Sequence, residues 1–386
     1  MKVSSRVALG CLLLVPFAAC RNSSTSSSSS VVALLPSLMG TDGCNGDDQT
    51  FSVGQAFTTL ALGTWTPGPL SQVAGARSAD ELFLTGAGAT LVKVDVLGAP
   101  VEAQLVGPGT VAALLDPLAL GAAPLLSGVC VLDAEQLLVM EHTFNVVLMV
   151  SRSVPDTVSL FAGIPNEVPG MADGPAALSR FSFAEAAQLV PTGGGRVLVA
   201  DSGNHAIRSI EDGFVTTLAG TGAPFFADGS LGASLFDTPS GLSVPCSGRL
   251  WITELGAAGA GGNRLRELEL GQLIFFGQLG SVGTLAGEGS PLTVEGVESL
   301  ASLSAPMGLV TTAEGEAYFV DSGTGVLRRY DTLSGNVDCP LWIDCAAAVL
   351  GGGRFTQGGV VSLVSTDAGV LYALDASAGS LLRISP

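Results

Sequence analysis

With 386 residues, 47% of them hydrophobic and only 13% charged, the chain has the apolar content for a large core and too much of it for disorder. Its 16 basic and 34 acidic residues leave a net charge of −18, which repels nucleic acid and anionic lipid surfaces and so excludes DNA and RNA as partners. The 52 glycines and 20 prolines signal many turns, and one all-β domain suits this length as well as two ordinary domains.

The chain opens MKVSSRVALGCLLLVPFAAC: Lys2 and Arg6 are positive, and Val7 to Phe17 is an apolar run too short to span a bilayer. Its end, Ala18-Ala19-Cys20, resembles the lipobox of bacterial lipoproteins, with Phe17 where that motif usually has Leu. The resemblance implies cleavage before Cys20 and a lipid on its thiol. On that reading residues 1–19 are the signal peptide, and 20–50, with RNSSTSSSSS at 21–30, are a flexible tether. Residues 51–386 are the folded part, exported and held at the outer membrane or cell surface through the lipid alone. An ordinary secretory peptide cut near Ala19 is the alternative.

Export implies an oxidising compartment. Cys44, Cys130, Cys246, Cys339 and Cys345 then remain, an odd number, and CPLWIDC places Cys339 and Cys345 as an expected disulfide. No CxxC pair occurs and His142 and His205 are the only histidines, so no metal or other cofactor is expected. The acidic stretch with Asp42, Asn45, Asp47 and Asp48 lacks EF-hand spacing and reads as a linker.

From there the sequence repeats. Six short strands end in turn at Thr85, Glu141, Asp201, Glu254, Asp321 and Asp375, spaced by 56, 60, 53, 67 and 54 residues. An apolar strand and a tight turn precede each. An outer strand recurs as SLFAG, TTLAG and GTLAG, and the long loops keep a register of their own. In them Asp173 lies eight residues before Phe181, Asp228 eight before Phe236, and Glu295 eight before Leu303. A four-stranded meander of this length cannot bury both faces alone, and radial stacking buries them while hiding the edges. The expected fold is all-β, a six-bladed propeller of four-stranded antiparallel blades.

The ending GSLLRISP aligns with a third strand, so the last blade lacks its outer strand; FTTLALG near the start matches VTTLAGTG. Phe57–Ala61 is therefore expected to pair antiparallel with Leu381–Ile384 and close the ring.

The run VLVADSGNHAIRSI…VTTLAGTG…ADGSLGASLFDTPSGL is similar to the NHL-repeat propeller family, which shares the Asp-x-x-Asn turn, the Ile/Leu-Arg step and the TLAG strand. In this frame Asp201, Asp321 and Asp375 close turns, and Arg208, Arg328 and Arg383, seven or eight residues later, are expected to pair with them. Phe181 and Phe236 are periodic and read as core. Phe225 and Phe226 fall outside the register. With Asp173, Asp228, Glu295 and His205 they form an expected binding face, acidic and partly aromatic. The inner strands carry no Asp, Glu, His, Lys or Arg except Glu185 at one entrance, whereas general acid–base catalysis needs such groups within reach of substrate. Two functions follow: a monomeric, non-catalytic binding or scaffold module for a protein, peptide or glycan, or a metal-dependent lyase or lactonase at the channel mouth.

Overall fold

The computed structural model describes residues 56–385 apart from 61, 63–64, 76–80, 97–100, 108, 116–122, 166–167, 184–186, 246–248, 257–258, 260, 271–279, 293, 313–315, 341–354 and 366–369. The expected lipidation site Cys20, the tether, Glu185 and Cys345 lie outside these residues. Cys339 is disulfide-bonded, and Cys130 is a free, buried thiol that desolvation pushes up to about 12.

Six antiparallel sheets make a propeller. From inner to outer strand, blade 1 is Val73–Gly75, Glu81–Gly86, Thr90–Asp95 and Val101–Val106; blade 2 is Leu126–Val131, Gln136–Glu141, Val146–Ser151 and Val158–Ala162. Blade 3 is Leu189–Pro191, Val197–Asp201, Ala206–Glu211 and Phe214–Ala219; blade 4 is Pro239–Ser243, Arg249–Glu254, Arg264–Leu270 and Gly280–Ala286. Blade 5 is Pro306–Thr311, Glu316–Asp321, Val326–Asp331 and Asn336–Asp338. Blade 6 is Val361–Ser365, Leu371–Asp375, Ser380–Ser385 and, from the other end of the chain, Ala56–Leu60. The inner strands pack in a ring, the last against the first, where Ser362 Oγ donates to the Val73 carbonyl at 3.3 Å. A six-residue helix, Thr110–Leu115, lies between blades 1 and 2.

Each sheet faces a neighbour on both sides, so its second strand is buried on both faces, as Val197–Asp201 is throughout. The apolar core is accordingly a chain of clusters between blades. One runs from Leu138 through Leu198 to Leu250, and another joins Leu84 to Tyr372 and Leu381.

Blades 3, 4 and 5 hold a fifth, two-residue strand beyond the expected four: Gly174–Pro175, Gly229–Ser230 and Gly296–Val297. These come from the long loops, and each pairs with the outer strand of the blade its loop leads into, Gly174 opposite Val215 for instance. The common spacing in those loops reflects this pairing. The glycine ending each outer-strand motif also has a reason. Gly163, Gly220 and Gly287 take φ of 101°, 93° and 98°, and a Cβ there would meet the backbone of the neighbouring turn at Asn145, His205 and Asn263.

Ring closure occurs as the sequence implies. Ala56 stands opposite Ser385 and Leu60 opposite Leu381, an antiparallel pair that completes blade 6 with the two ends of the chain. Deleting Ala56–Leu60 uncovers the long edge of Ser380–Ser385 and removes Leu60 from its packing against blades 1 and 6. The expected cost is several kcal/mol out of the roughly 5–15 typical of a domain, with self-association through the open edge. Calorimetry and light scattering check this; a monomer melting at the wild-type temperature excludes the role assigned to this strand.

Candidate functional site

The turns between second and third strands and the loops between blades emerge together on what is here the upper face. Every second strand ends there in a buried side chain that accepts an amide from the incoming loop. Asp201 Oδ1 takes Ser182 N–H at 2.8 Å, Asp321 Oδ1 takes Ser304 N–H at 3.1 Å, and Asp375 Oδ2 takes Thr356 N–H at 2.6 Å. Glu141 Oε1 takes Leu125 N–H at 2.7 Å, and Thr85 Oγ1 takes Gln72 N–H at 2.8 Å. Thr85 and Glu141, the two departures from the repeat, therefore serve as the aspartates do.

In blade 3 the acid meets a buried guanidinium. Arg208 Nη1 donates to Asp201 Oδ2 at 2.7 Å and to the Arg180 carbonyl at 3.0 Å. Its Nη2 donates to Asp173 Oδ1 at 2.8 Å and to the Ala172 carbonyl at 3.0 Å. Asp173 in turn accepts from Thr217 N–H and Oγ1 on the outer strand, at 3.0 and 2.9 Å. One arginine thus ties second strand, incoming loop and outer strand together, with the Phe181 ring centroid 5.2 Å from its Cζ.

The same clasp recurs in blade 4, where Arg266 bonds Glu254 at 2.8 Å and Asp228 at 2.7 Å, Asp228 holds Thr284, and Phe236 lies 5.2 Å away. In blade 5 Arg328 reaches Asp321 at 3.3 Å and the Val294 carbonyl at 3.2 Å, while Glu295 accepts Cys339 N–H at 3.4 Å. Asp173, Asp228 and Glu295 thus latch the outer strands, while Asp173 and Asp228 keep about half of their side chains, 48% and 43%, open to solvent.

Burial acts on the acids of these clasps. Desolvation pushes the Asp201 carboxyl up to about 6 against the pull of Arg208. Glu254, whose Oε2 has no hydrogen-bond partner, is pushed up to about 8 against Arg266 and Arg264.

The expected pair of Asp375 and Arg383 does not form. Asp375 stands opposite Ser380, so the site of the clasp arginine, two residues further along the third strand, is Leu382. Arg383 is one residue beyond, and a shift of one places its exposed side chain on the opposite face of the strand. Arg266 escapes the sequence reading for a related reason. An insertion lengthens its turn, so it lies twelve residues from Glu254 in sequence, yet its register, two past the partner Arg264, is that of Arg208.

His205 is a seam residue. At φ 50° it occupies the left-handed position of its turn, and its Nδ1 accepts Thr238 N–H of the next loop at 3.1 Å. Asn145 and Asn263, at φ 55° and 60°, accept Phe183 and Ala305 amides in the same way at 2.6 and 2.8 Å. Phe226 packs over Arg264, ring centroid 3.7 Å from Cζ, whereas Phe225 beside it is 59% exposed.

The inner-strand residues paired with the second-strand ends are Leu126, Pro239, Pro306 and Val361 in blades 2, 4, 5 and 6, and in blade 1 Gln72 accepts the Thr85 amide. Gln72 Nε2 reaches across from blade 1 to the Ala187 carbonyl of blade 3 at 3.0 Å. Among the described residues no group of three or more His, Cys, Asp or Glu could hold a metal ion.

No protein-family model and no curated protein matches the chain. Solved structures do. An auxiliary nutrient binding protein from Bacteroides ovatus is 13% identical over 87% of this chain and 77% of its own, with a TM-score of 0.57. One from Bacteroides thetaiotaomicron is 12% identical over 88% and 78%, at 0.56. A gluconolactonase from Xanthomonas campestris is 13% identical over 88% and 96%, at 0.53. At these identities the likeness shows the propeller fold, shared by binding proteins and enzymes.

Two outcomes follow. Replacing Arg208 with Leu strands Asp201 as a buried, uncompensated acid and is expected to cost about 3–5 kcal/mol in chemical denaturation; a loss under about 1 kcal/mol would show that the clasp does not hold the blade. Burial holds the His205 imidazole below its ordinary value against the opposing pull of Asp237. The folded state thus favours neutral His205, and its contribution is complete above the unfolded value near 6.5 and lost as pH falls from there through the lower folded value. His205→Asn, copying Asn145 and Asn263, is expected to match wild type at pH 8 and lose less stability between pH 7 and 5; parallel losses would clear His205 of the effect.

Proposed function

We propose that the chain is an NHL-type propeller, exported and anchored through a lipid on Cys20, and that it acts as a non-catalytic binding or scaffold module for a protein, peptide or glycan. The observation that carries this reading is the use of polar groups on the upper face. The acids there accept amides or hold buried arginines, His205 bridges two blades, and Gln72 spans the mouth of the channel. No acid–base pair faces the channel mouth among the described residues, which favours binding over lyase or lactonase chemistry.

Beside the half-exposed Asp173 and Asp228, the upper face offers a partner an exposed aromatic ring. Phe225 projects from the loop entering blade 4, fixed from behind by its N–H to the Phe236 carbonyl at 3.2 Å and flanked by Phe226 on Arg264. Such a step suits stacking against a side chain or the apolar face of a sugar.

The protein purified from envelope with its native N-terminus provides the test. Mass spectrometry is expected to find Cys20 lipidated at the N-terminus, and pull-down to recover a partner whose affinity falls roughly tenfold, ~1.4 kcal/mol, with Phe225→Ala. A stoichiometric divalent metal overturns the binding reading in favour of the enzyme, and a partner retained in full by that variant excludes Phe225 from the contact face.

A further inference from the structure

The lower outer rim of blade 5 is apolar and exposed. Val297, Leu300 and Leu333 are 44%, 71% and 94% exposed. They are drawn together because the Glu298 N–H, between the two loop residues, donates to the Gly335 carbonyl at 2.9 Å, two residues from Leu333 in the turn between third and outer strands. Exposed apolar groups brought to one rim in this way are a place where a partner segment can bury them.

The chain holds a candidate nearby. Ala56, where the described structure begins, lies opposite Ser385 at the lower end of blade 6's outermost strand, on the same side and in the adjacent blade. Upstream stands VVALLPSLM, residues 31–39, in which seven of nine residues are Val, Ala, Leu or Met, between a serine run and an acidic linker. The 16 residues from 40 to 55 reach up to roughly 50 Å at ~3.3 Å each, far more than the spacing of two neighbouring sheets, about 10 Å.

We propose that residues 31–39 dock on the rim formed by Val297, Leu300 and Leu333, shortening the tether and fixing the propeller's orientation to its anchor point. Charge selects this occupant over a second copy of the chain. The rim carries Glu298 and Asp331, and another molecule brings a net charge of −18, whereas 31–39 has no charged residue. Covalent linkage also presents the segment at about millimolar effective concentration. The docking does not depend on lipidation or on what the upper face binds.

The experiment places a photoreactive benzoylphenylalanine at Leu35 of the full-length chain in detergent and maps the cross-links by mass spectrometry. Cross-links within one molecule to 294–300 or 332–335 are expected. Their yield should fall at least fivefold when Leu300→Glu and Leu333→Glu are combined, both at exposed positions that do not burden folding. Cross-links confined to other blades, to a second copy or to detergent overturn the proposal, as does their absence or a yield unchanged by the two substitutions.

Discussion

A charge taken out of water must find its opposite, and that requirement organises this propeller. Arg208 and Arg266 are fully buried and Arg328 nearly so, and a lone guanidinium in such a place would be prohibitive. Each is tolerated because an acid ending the second strand faces it and loop carbonyls accept from its Nη groups, although its Nε–H has no partner. In blades 3 and 4 a further acid from the loop also meets it. Such pairs add little net stability over well-packed apolar side chains. They do define geometry: the fork of the guanidinium accepts only one placement of strand, loop and outer edge, which fixes where each long loop crosses its blade.

Blades 2 to 5 are joined to their neighbours by a lighter device repeated at three of the six seams. A turn residue in the left-handed region turns its side chain toward the next loop and accepts one amide, with Asn145, His205 and Asn263 as the examples. The outer strand can pass close beneath that turn only where it ends in glycine, as at Gly220. Clasp and seam both lie on the upper face, while the two chain ends are sewn together at blade 6. Local contacts thus build the blades, and a single long-range pairing decides whether they close.

This economy of polar groups bears on function. Gln72 reaches from blade 1 to the Ala187 carbonyl of blade 3. The acids above it are bonded inward. Exposed apolar groups stand at Phe225 above and at Val297, Leu300 and Leu333 on the lower rim.

Much of this was legible in the residues because a repeat states its architecture several times. The period, the strand alternation and the turn residues determine six meanders, and an orphan third strand at one end with an orphan outer strand at the other determines how they close. The alternate roles of polar residues were not legible, since spacing along the chain is a poor guide to facing across a sheet. Asp375 and Arg383 differ by one residue from the clasp spacing and so point apart, while Glu254 and Arg266 meet across an insertion that conceals their register. Likewise Asp173 and Asp228, read singly, are surface acids; only the folded chain brings the buried arginines and outer-strand threonines that neutralise and hold them. The sequence by itself determined which residues repeat, and the tertiary structure decided what each one touches, because contact depends on strand register and on the neighbouring blade.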